Sequence, residues 1–94
     1  MENFYVYILA SKLNGILYVG MTNELERRIA EHKTKQIKGF TYKYNIDKLV
    51  YFEGFTTYNE AFQRERQMKK WKREWKINLI EKKNCEWIDL ASNW

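Results

Sequence analysis

The first part of the chain holds two apolar runs joined by Asn14-Gly15, and this pattern restricts the fold more than any other. Residues 4–10 (FYVYILA) and 16–21 (ILYVGM) are rich in β-branched and aromatic side chains, which is typical of strands. Asn-Gly favours a two-residue hairpin turn, because both of its positions accept positive φ. The sequence therefore predicts an antiparallel hairpin in which paired residue numbers sum to 29. In that register one face carries Tyr7, Tyr18 and Gly20.

A helix is predicted to follow the hairpin. Asn23 suits the N-cap position with Glu26 at the third helical residue, and the helical pattern continues to about Thr34. At about 100° per residue, Arg27 falls on the solvent side of this helix. The opposite stripe holds two apolar anchors together with an arginine and a histidine: Leu25, Ile29, Arg28 and His32.

The middle of the chain predicts a loop, a strand and a helix. Residues 33–48 show no clear period and are interpreted as a loop, with at most a short helical turn. Residues 49–55 (LVYFEGF) predict the third strand. Thr57 and Glu60 form a capping box, so a helix is expected to begin there and to reach about Lys72.

The end of the chain predicts a last helix and a packed tail. The helix covers about residues 73–83, with apolar anchors at Trp75, Leu79 and Ile80. The tail, residues 84–94, is expected to pack back onto the rest. We therefore expect a single α+β domain over residues 1–94, with a small three-stranded antiparallel sheet flanked by about three helices.

The charge of the chain favours a polyanionic partner. Seventeen Lys and Arg residues against twelve Asp and Glu residues give a net charge of +5, which fits nucleic acid. Basic residues also lie among aromatic ones, as on nucleic-acid surfaces. The candidate nucleic-acid contacts are Lys35, Lys38, Lys43, Lys69, Lys70, Lys72 and Arg73.

The cysteine count and the hydropathy pattern predict a cytoplasmic protein. Cys85 is the only cysteine, which excludes an intrachain disulfide and favours a reducing compartment. No apolar run approaches the roughly 20 residues of a membrane span, and the start of the chain lacks the pattern of a signal peptide. No membrane partner is expected.

Glu65 is unusual because it shares the apolar stripe of its helix with Ala61 and Met68. A lone carboxylate there is costly unless it is paired, solvated or bound to a metal. An ion pair between Arg28 and Glu65 would explain both side chains and would suit a small protein-interaction domain. Phosphodiester hydrolysis would also use them: the arginine for phosphoryl oxygens, the glutamate for Mg²⁺ or Mn²⁺, and a tyrosine as base where a cation lowers its pKa. The residues alone leave both interpretations open.

One ordered set of residues resembles the GIY-YIG nuclease family. Val6-Tyr7-Ile8 is followed by Tyr18-Val19-Gly20, and then by Arg28, His32 and Glu65. The resemblance covers roughly residues 4–80 and is greatest for the small stand-alone members. It implies a metal-dependent endonuclease that hydrolyses DNA at a single Mg²⁺ or Mn²⁺ ion, with a role in DNA repair or recombination.

The resemblance also implies a role for each matching residue. Tyr7 is expected to activate the attacking water, with Tyr18 as the second tyrosine of the pair. Arg28 would stabilise the transition state, and His32 would act as an auxiliary base or phosphate contact. Glu65 would bind the metal. Gly20 would avoid crowding the substrate or the helix start.

Two positions depart from the family pattern. Tyr5 replaces the glycine of the first triplet, and Met21 follows Gly20 where some members carry a lysine or a small polar residue. The resemblance therefore implies the loss of a direct substrate contact at Met21. This departure and the basic segments keep open a non-catalytic nucleic-acid-binding module on the same fold.

Overall fold

The computed structural model describes residues 2–94 and contains one antiparallel sheet of three strands, in the order β2-β1-β3. The α+β class is thus confirmed. Residues 2–94 contain four helices rather than about three, because the segment interpreted as a loop contains a five-residue helix, Phe40–Tyr44. None of the helices within residues 2–94 has the length and apolar character needed to cross a bilayer. The elements are β1 (Phe4–Ala10), β2 (Leu17–Thr22), α1 (Leu25–Lys33), α2 (Phe40–Tyr44), β3 (Lys48–Phe55), α3 (Tyr58–Lys70) and α4 (Arg73–Lys83).

The predicted hairpin register is wrong by two residues. Tyr7 pairs with Gly20 and Leu9 pairs with Tyr18, so paired numbers sum to 27. Because side chains alternate with period two, a shift of two residues leaves every side chain on its predicted face. Tyr7, Tyr18 and Gly20 therefore share one face of the sheet.

The loop that causes this shift spans six residues, 11–16, instead of two. The amide of Gly15 donates to the Lys12 carbonyl at 2.8 Å, so Leu13 and Asn14 are the central residues of the turn. The guanidinium of Arg73 donates to the carbonyls of Asn14 and Gly15 at 2.8 and 2.7 Å. This contact from the start of α4 stabilises a loop wider than the dipeptide alone predicts.

The helix ends differ from the predictions where capping was misjudged. Residue 24, not Asn23, is the N-cap of α1, and Thr22 Oγ1 accepts the amide hydrogen of that residue at 3.0 Å. The predicted cap of α3 is confirmed, since Thr57 Oγ1 accepts from the Glu60 amide at 3.2 Å. This helix ends at Lys70 because Trp71 adopts an extended conformation.

The sheet separates two apolar clusters. Val6 and Ile8 face α3 and α4, where Met68, Ile80 and Trp87 complete the first cluster. On the opposite face, α1 covers the sheet, and the second cluster consists of Tyr7, Leu9, Leu25, Ile29, Ile46, Leu49 and Ala91. Tyr7 thus belongs to the α1 side, whereas Glu65 belongs to a helix on the other side.

The tail, residues 84–94, runs along the outer edge of β3. The amide of Leu90 donates to the Leu49 carbonyl at 2.8 Å, and Asp89 Oδ1 accepts from the Leu49 amide at 3.2 Å. Asp89 also forms an ion pair with Lys33 at the end of α1. The tail therefore connects β3 to α1, which lies on the other side of the sheet from α4.

The prediction of Trp75 as an apolar anchor is wrong. Its side chain is 54% exposed, whereas Ile80 is fully buried. At about 100° per residue these two positions lie roughly 140° apart around α4, so they cannot both face the core. Leu79 and Ile77, which are partly buried, complete the contact of α4 with the sheet.

Candidate active site

A chain of two buried hydrogen bonds links three elements around His32. Tyr7 Oη on β1 lies 3.1 Å from His32 Nε2, and His32 Nδ1 lies 3.1 Å from Thr41 Oγ1 on α2. Tyr7 is 1% exposed and His32 4%. Both ring nitrogens of the histidine are thus occupied, which fixes the orientation of the imidazole.

The pKa shifts of the two rings favour the neutral form of each. Burial raises the pKa of Tyr7 above its ordinary value, and nearby Tyr18 adds to this effect, while Arg28 opposes it. Burial is the main cause that lowers the pKa of His32, and the positive charge of Arg28 lowers it further. At neutral pH both rings are therefore neutral, and the tautomer of His32 sets the direction of both hydrogen bonds: with the proton on Nδ1, the phenol donates to Nε2 and Nδ1–H donates to Thr41. The expectation of a cation-lowered tyrosine pKa is not met by Tyr7 in this arrangement.

Gly20 provides the space that the Tyr7 hydroxyl occupies. A Cβ atom at position 20 would lie 2.5 Å from Tyr7 Oη and 2.6 Å from Tyr7 Cζ. Real Cβ atoms essentially never make contacts this short. The atoms nearest to such a Cβ belong to Tyr7 and Tyr18, so the absence of a side chain at Gly20 leaves room for these two tyrosines.

Tyr18 and Arg28 line the same region. The Tyr18 ring centroid lies 6.4 Å from that of Tyr7 and 5.8 Å from that of His32. Arg28 is half-exposed, and its Nε lies 3.4 Å from a carboxylate oxygen of Glu31. Because the Arg28 charge shifts the pKa of Tyr7 and of His32, this guanidinium acts on the buried hydrogen-bonded chain.

Glu65 approaches the site from α3, on the other side of the sheet. No ion pair joins it to Arg28 anywhere in residues 2–94, so the structural ion pair left open by the sequence does not form. Its Oε2 lies 3.5 Å from Lys69 Nζ, and its side chain is only 16% exposed. The Glu65 charge contributes to raising the pKa of Tyr7, which places the carboxylate within electrostatic reach of that hydroxyl.

The donor set around Glu65 fits one kind of metal site. The described part of the chain has no group of three or more His, Cys, Asp or Glu side chains suited to one ion. A single, mostly buried carboxylate is the ligand type that would hold Mg²⁺ or Mn²⁺, which keep several waters and take substrate phosphate oxygens. The ammonium of Lys69 would have to move away from that carboxylate for a cation to bind.

Several predicted nucleic-acid contacts already have partners within the protein. Lys35 forms an ion pair with Asp47 at 3.4 Å, and Arg73 binds the hairpin loop as described above. Lys38 and Lys43 lie over the rings of Tyr42 and Tyr44, at 5.3 and 5.4 Å from the centroids. Lys70 and Lys72 are exposed.

Thr41 is the residue of this site that the sequence did not predict. It lies in a stretch without apolar periodicity, and a threonine there carries no motif of its own. The one signal in the sequence is the glycine at position 39. Gly39 precedes α2 and has a φ of 125°, which lets the chain turn toward His32.

The three-stranded sheet, its flanking helices and the sequence that forms them are those of a nuclease-like catalytic domain. The family described as the GIY-YIG catalytic domain matches residues 3–78, and the chain belongs to this family. A UPF0213 protein of Clostridium perfringens is 44% identical over 82 residues, covering 87% of each chain. One from Staphylococcus saprophyticus is 38% identical over 80 residues, covering 85% of this chain and 96% of that protein.

A solved structure shows the same fold. The solution NMR structure of a UPF0213 protein from Bacillus halodurans is 31% identical to this chain, with a TM-score of 0.54. The match covers 86% of this chain and 85% of that one. The three-stranded antiparallel sheet and its helices are therefore shared between the two proteins.

Proposed function

We propose that this chain is a divalent-metal-dependent endonuclease that hydrolyses DNA phosphodiester bonds, acting on intermediates of DNA repair or recombination. The observation that carries the proposal is the buried hydrogen bond between Tyr7 and His32, on which the charges of Arg28 and Glu65 both act. Packing alone does not require a phenol, an imidazole and two opposite charges in one place. Membership of a family of nuclease-like domains supports the same reaction class.

The proposed reaction uses Tyr7 and His32 as a proton relay. A water molecule attacks phosphorus and gives its proton to Tyr7 Oη, while the proton of Tyr7 passes to His32 Nε2. The new phosphorus–oxygen bond forms as the bond to the leaving oxygen breaks, and that oxygen takes a proton from solvent. The Tyr7 phenol is unchanged at the end of the step, and the imidazolium returns its proton to water.

Arg28 and Glu65 complete the proposed site. The guanidinium of Arg28 donates to the non-bridging phosphoryl oxygens, whose negative charge grows in the transition state. Glu65 would hold a Mg²⁺ or Mn²⁺ ion, which supplies further neutralisation of the phosphate when bound. The half-exposed position of Arg28 leaves its donors accessible to a substrate.

Removal of divalent metal is expected to abolish cleavage. Supercoiled plasmid, branched DNA and single-stranded DNA should be cut with Mg²⁺ or Mn²⁺ and should remain intact with excess chelator. Adding back metal should restore the reaction. Cleavage that persists in chelator would contradict the assignment of Glu65 as a metal ligand. DNA binding without cleavage under any metal would instead identify a non-catalytic module.

The pH dependence should follow the single histidine. His32 is the only histidine of the chain, so an NMR titration reports one imidazole, and its pKa is expected below 6.5. The unfolded chain then binds more protons than the native one near pH 6, so the free energy of unfolding should fall as the pH drops through 6.5. Cleavage should fall at the lower, native pKa, because protonated Nε2 cannot accept the Tyr7 proton. A pKa at or above 6.5 would contradict the lowering by burial, and cleavage that does not change as His32 titrates would contradict the relay.

A non-catalytic nucleic-acid-binding module is the second candidate. The observation that favours it is Met21, which stands where some family members carry a lysine. This candidate requires salt-dependent binding of DNA and no metal-dependent cleavage.

A further inference from the structure

The outer face of α4 carries an exposed tryptophan that the fold does not use. Trp75 is 54% exposed, and the core contacts of α4 come from Ile77, Leu79 and Ile80 on its other side. A half-exposed indole leaves a large apolar area in water and contributes little to the core. Its place on this face therefore points to a contact outside the domain.

Trp75 forms one wall of a surface groove with a volume of about 270 Å³. The groove is lined by Trp71, Trp75, Asn78, Leu79 and Lys82. The two indole rings meet edge to face, with centroids 6.1 Å apart and an angle of 71°. This volume lies just below the roughly 300–1,000 Å³ of sites for drug-sized ligands, so the groove suits one planar ring system.

Trp71, which forms the second wall of the groove, is held in place by Arg64. The Arg64 guanidinium lies over the Trp71 ring, 5.0 Å from its centroid. Arg64 also binds Glu53 on β3 through two hydrogen bonds of 2.7 and 3.0 Å, and the Tyr51 hydroxyl donates to the same carboxylate. One face of Trp71 is thus occupied by Arg64, which leaves Trp75 as the stacking surface.

The charge around the groove indicates the kind of occupant. Residues 64–83 contain nine Lys or Arg residues and three Glu residues, a net charge of +6, whereas the whole chain carries +5. The groove therefore lies in the most basic part of the chain, and the remaining residues together carry a net charge of about −1. Lys82 lines the groove itself, and Lys72 precedes α4 as an exposed residue. An anionic ligand with an aromatic ring fits this surface.

We propose that this groove, which we call the tryptophan groove, stacks an unpaired base of a nucleic acid on Trp75, with the adjacent phosphate on Lys82. Asn78 offers both a donor and an acceptor to the base edge. The inference deepens the proposed function by naming single-stranded or unpaired nucleic acid as the ligand.

The test measures the affinity of a fluorescein-labelled, single-stranded oligothymidine by anisotropy, in chelator so that nothing is cut. Trp75→Ala should weaken binding by about 5- to 150-fold, the range for loss of one base–aromatic stack. Trp75→Phe should recover most of the affinity. Lys82→Gln should weaken binding. It should also reduce the slope of log affinity against log salt concentration by about the amount of one phosphate contact.

Trp94→Ala is the matched control. Trp94 is 51% exposed, close to the 54% of Trp75. It lies on the other side of the sheet against Phe52, where it lines a cavity together with Glu24, Glu26 and Arg27. Its removal should leave the affinity unchanged. An unchanged affinity in Trp75→Ala, or an equal loss in Trp94→Ala, would overturn the inference.

Two further measurements separate this inference from its alternatives. A dimer in analytical ultracentrifugation that Trp75→Ala disrupts would overturn the inference in favour of a second copy in the groove. Plasmid cleavage by the unmodified chain is measured separately. If the unmodified chain cuts plasmid but Trp75→Ala binds the oligothymidine with unchanged affinity, the groove is refuted and the nuclease stands. If Trp75→Ala loses affinity but the unmodified chain never cuts DNA, the nuclease is refuted and the groove stands.

Discussion

Glu65→Gln is expected to lower DNA cleavage by at least about a hundredfold while the domain stays folded. Loss of one group that stabilises charge in a transition state typically costs 10²–10³ in rate. The amide keeps the shape of the side chain but cannot supply the negative charge that Mg²⁺ or Mn²⁺ requires. The variant should be compared with the unmodified chain on supercoiled plasmid across a range of metal concentrations.

The binding of DNA should respond to Glu65→Gln in the opposite direction. The substitution removes a negative charge and frees Lys69, whose Nζ lies 3.5 Å from the Glu65 carboxylate. Affinity for DNA in chelator should therefore be equal or higher. Glu86→Gln is the control for net charge, because Glu86 is an exposed residue of the tail. Full cleavage by Glu65→Gln would show that the metal site lies elsewhere.

Gly20→Ala is expected to damage both stability and cleavage. The new methyl group would lie 2.5 Å from the hydroxyl oxygen of Tyr7, which is buried and hydrogen-bonded to His32. Overpacking of this kind costs about 1–3 kcal/mol in the free energy of unfolding. Displacing the Tyr7 hydroxyl by about 1 Å should cost roughly a further hundredfold in rate. Urea unfolding and the plasmid assay measure the two effects.

Gly54→Ala is the matched control for Gly20→Ala. Gly54 pairs with Tyr5 in the same sheet, but a Cβ there would meet the side-chain carboxylate of Glu2. That carboxylate ends a flexible, exposed side chain and can move aside, so the cost should stay below about 0.5 kcal/mol. In a Tyr7→Leu background, Gly20→Ala should lose most of its cost. An unchanged cost there would show that the clash is not with Tyr7.

The sequence predicted the face of each site residue better than it predicted the local geometry. The shared face of Tyr7, Tyr18 and Gly20 survived a wrong loop length because strand side chains repeat every two residues. The stripe that contains His32 follows from the helical period alone. Arg73, which binds the hairpin loop, lies 58 residues from Gly15, and no local signal encodes that contact.

The remaining features depend on contacts between distant elements. Thr41 meets His32 only because α2 folds back against α1, and α2 carries no amphipathic pattern that would reveal it. The Tyr7 pKa rises because burial outweighs Arg28, which requires the solvent exposure of the folded state. Trp75 was misassigned because α4 carries apolar side chains on two faces, and its sequence does not distinguish the buried face from the exposed one.

The tail along β3 restricts the direction in which the sheet can grow. With the Leu49 backbone bound by Leu90 and Asp89, the start of the β3 edge is covered, whereas β2 pairs with β1 alone within residues 2–94. A strand that another molecule added to β2 would lie beside Tyr18. Self-association through β2 and access to the candidate active site would then exclude each other. A peptide designed to pair with β2 would act as a competitive blocker of the site.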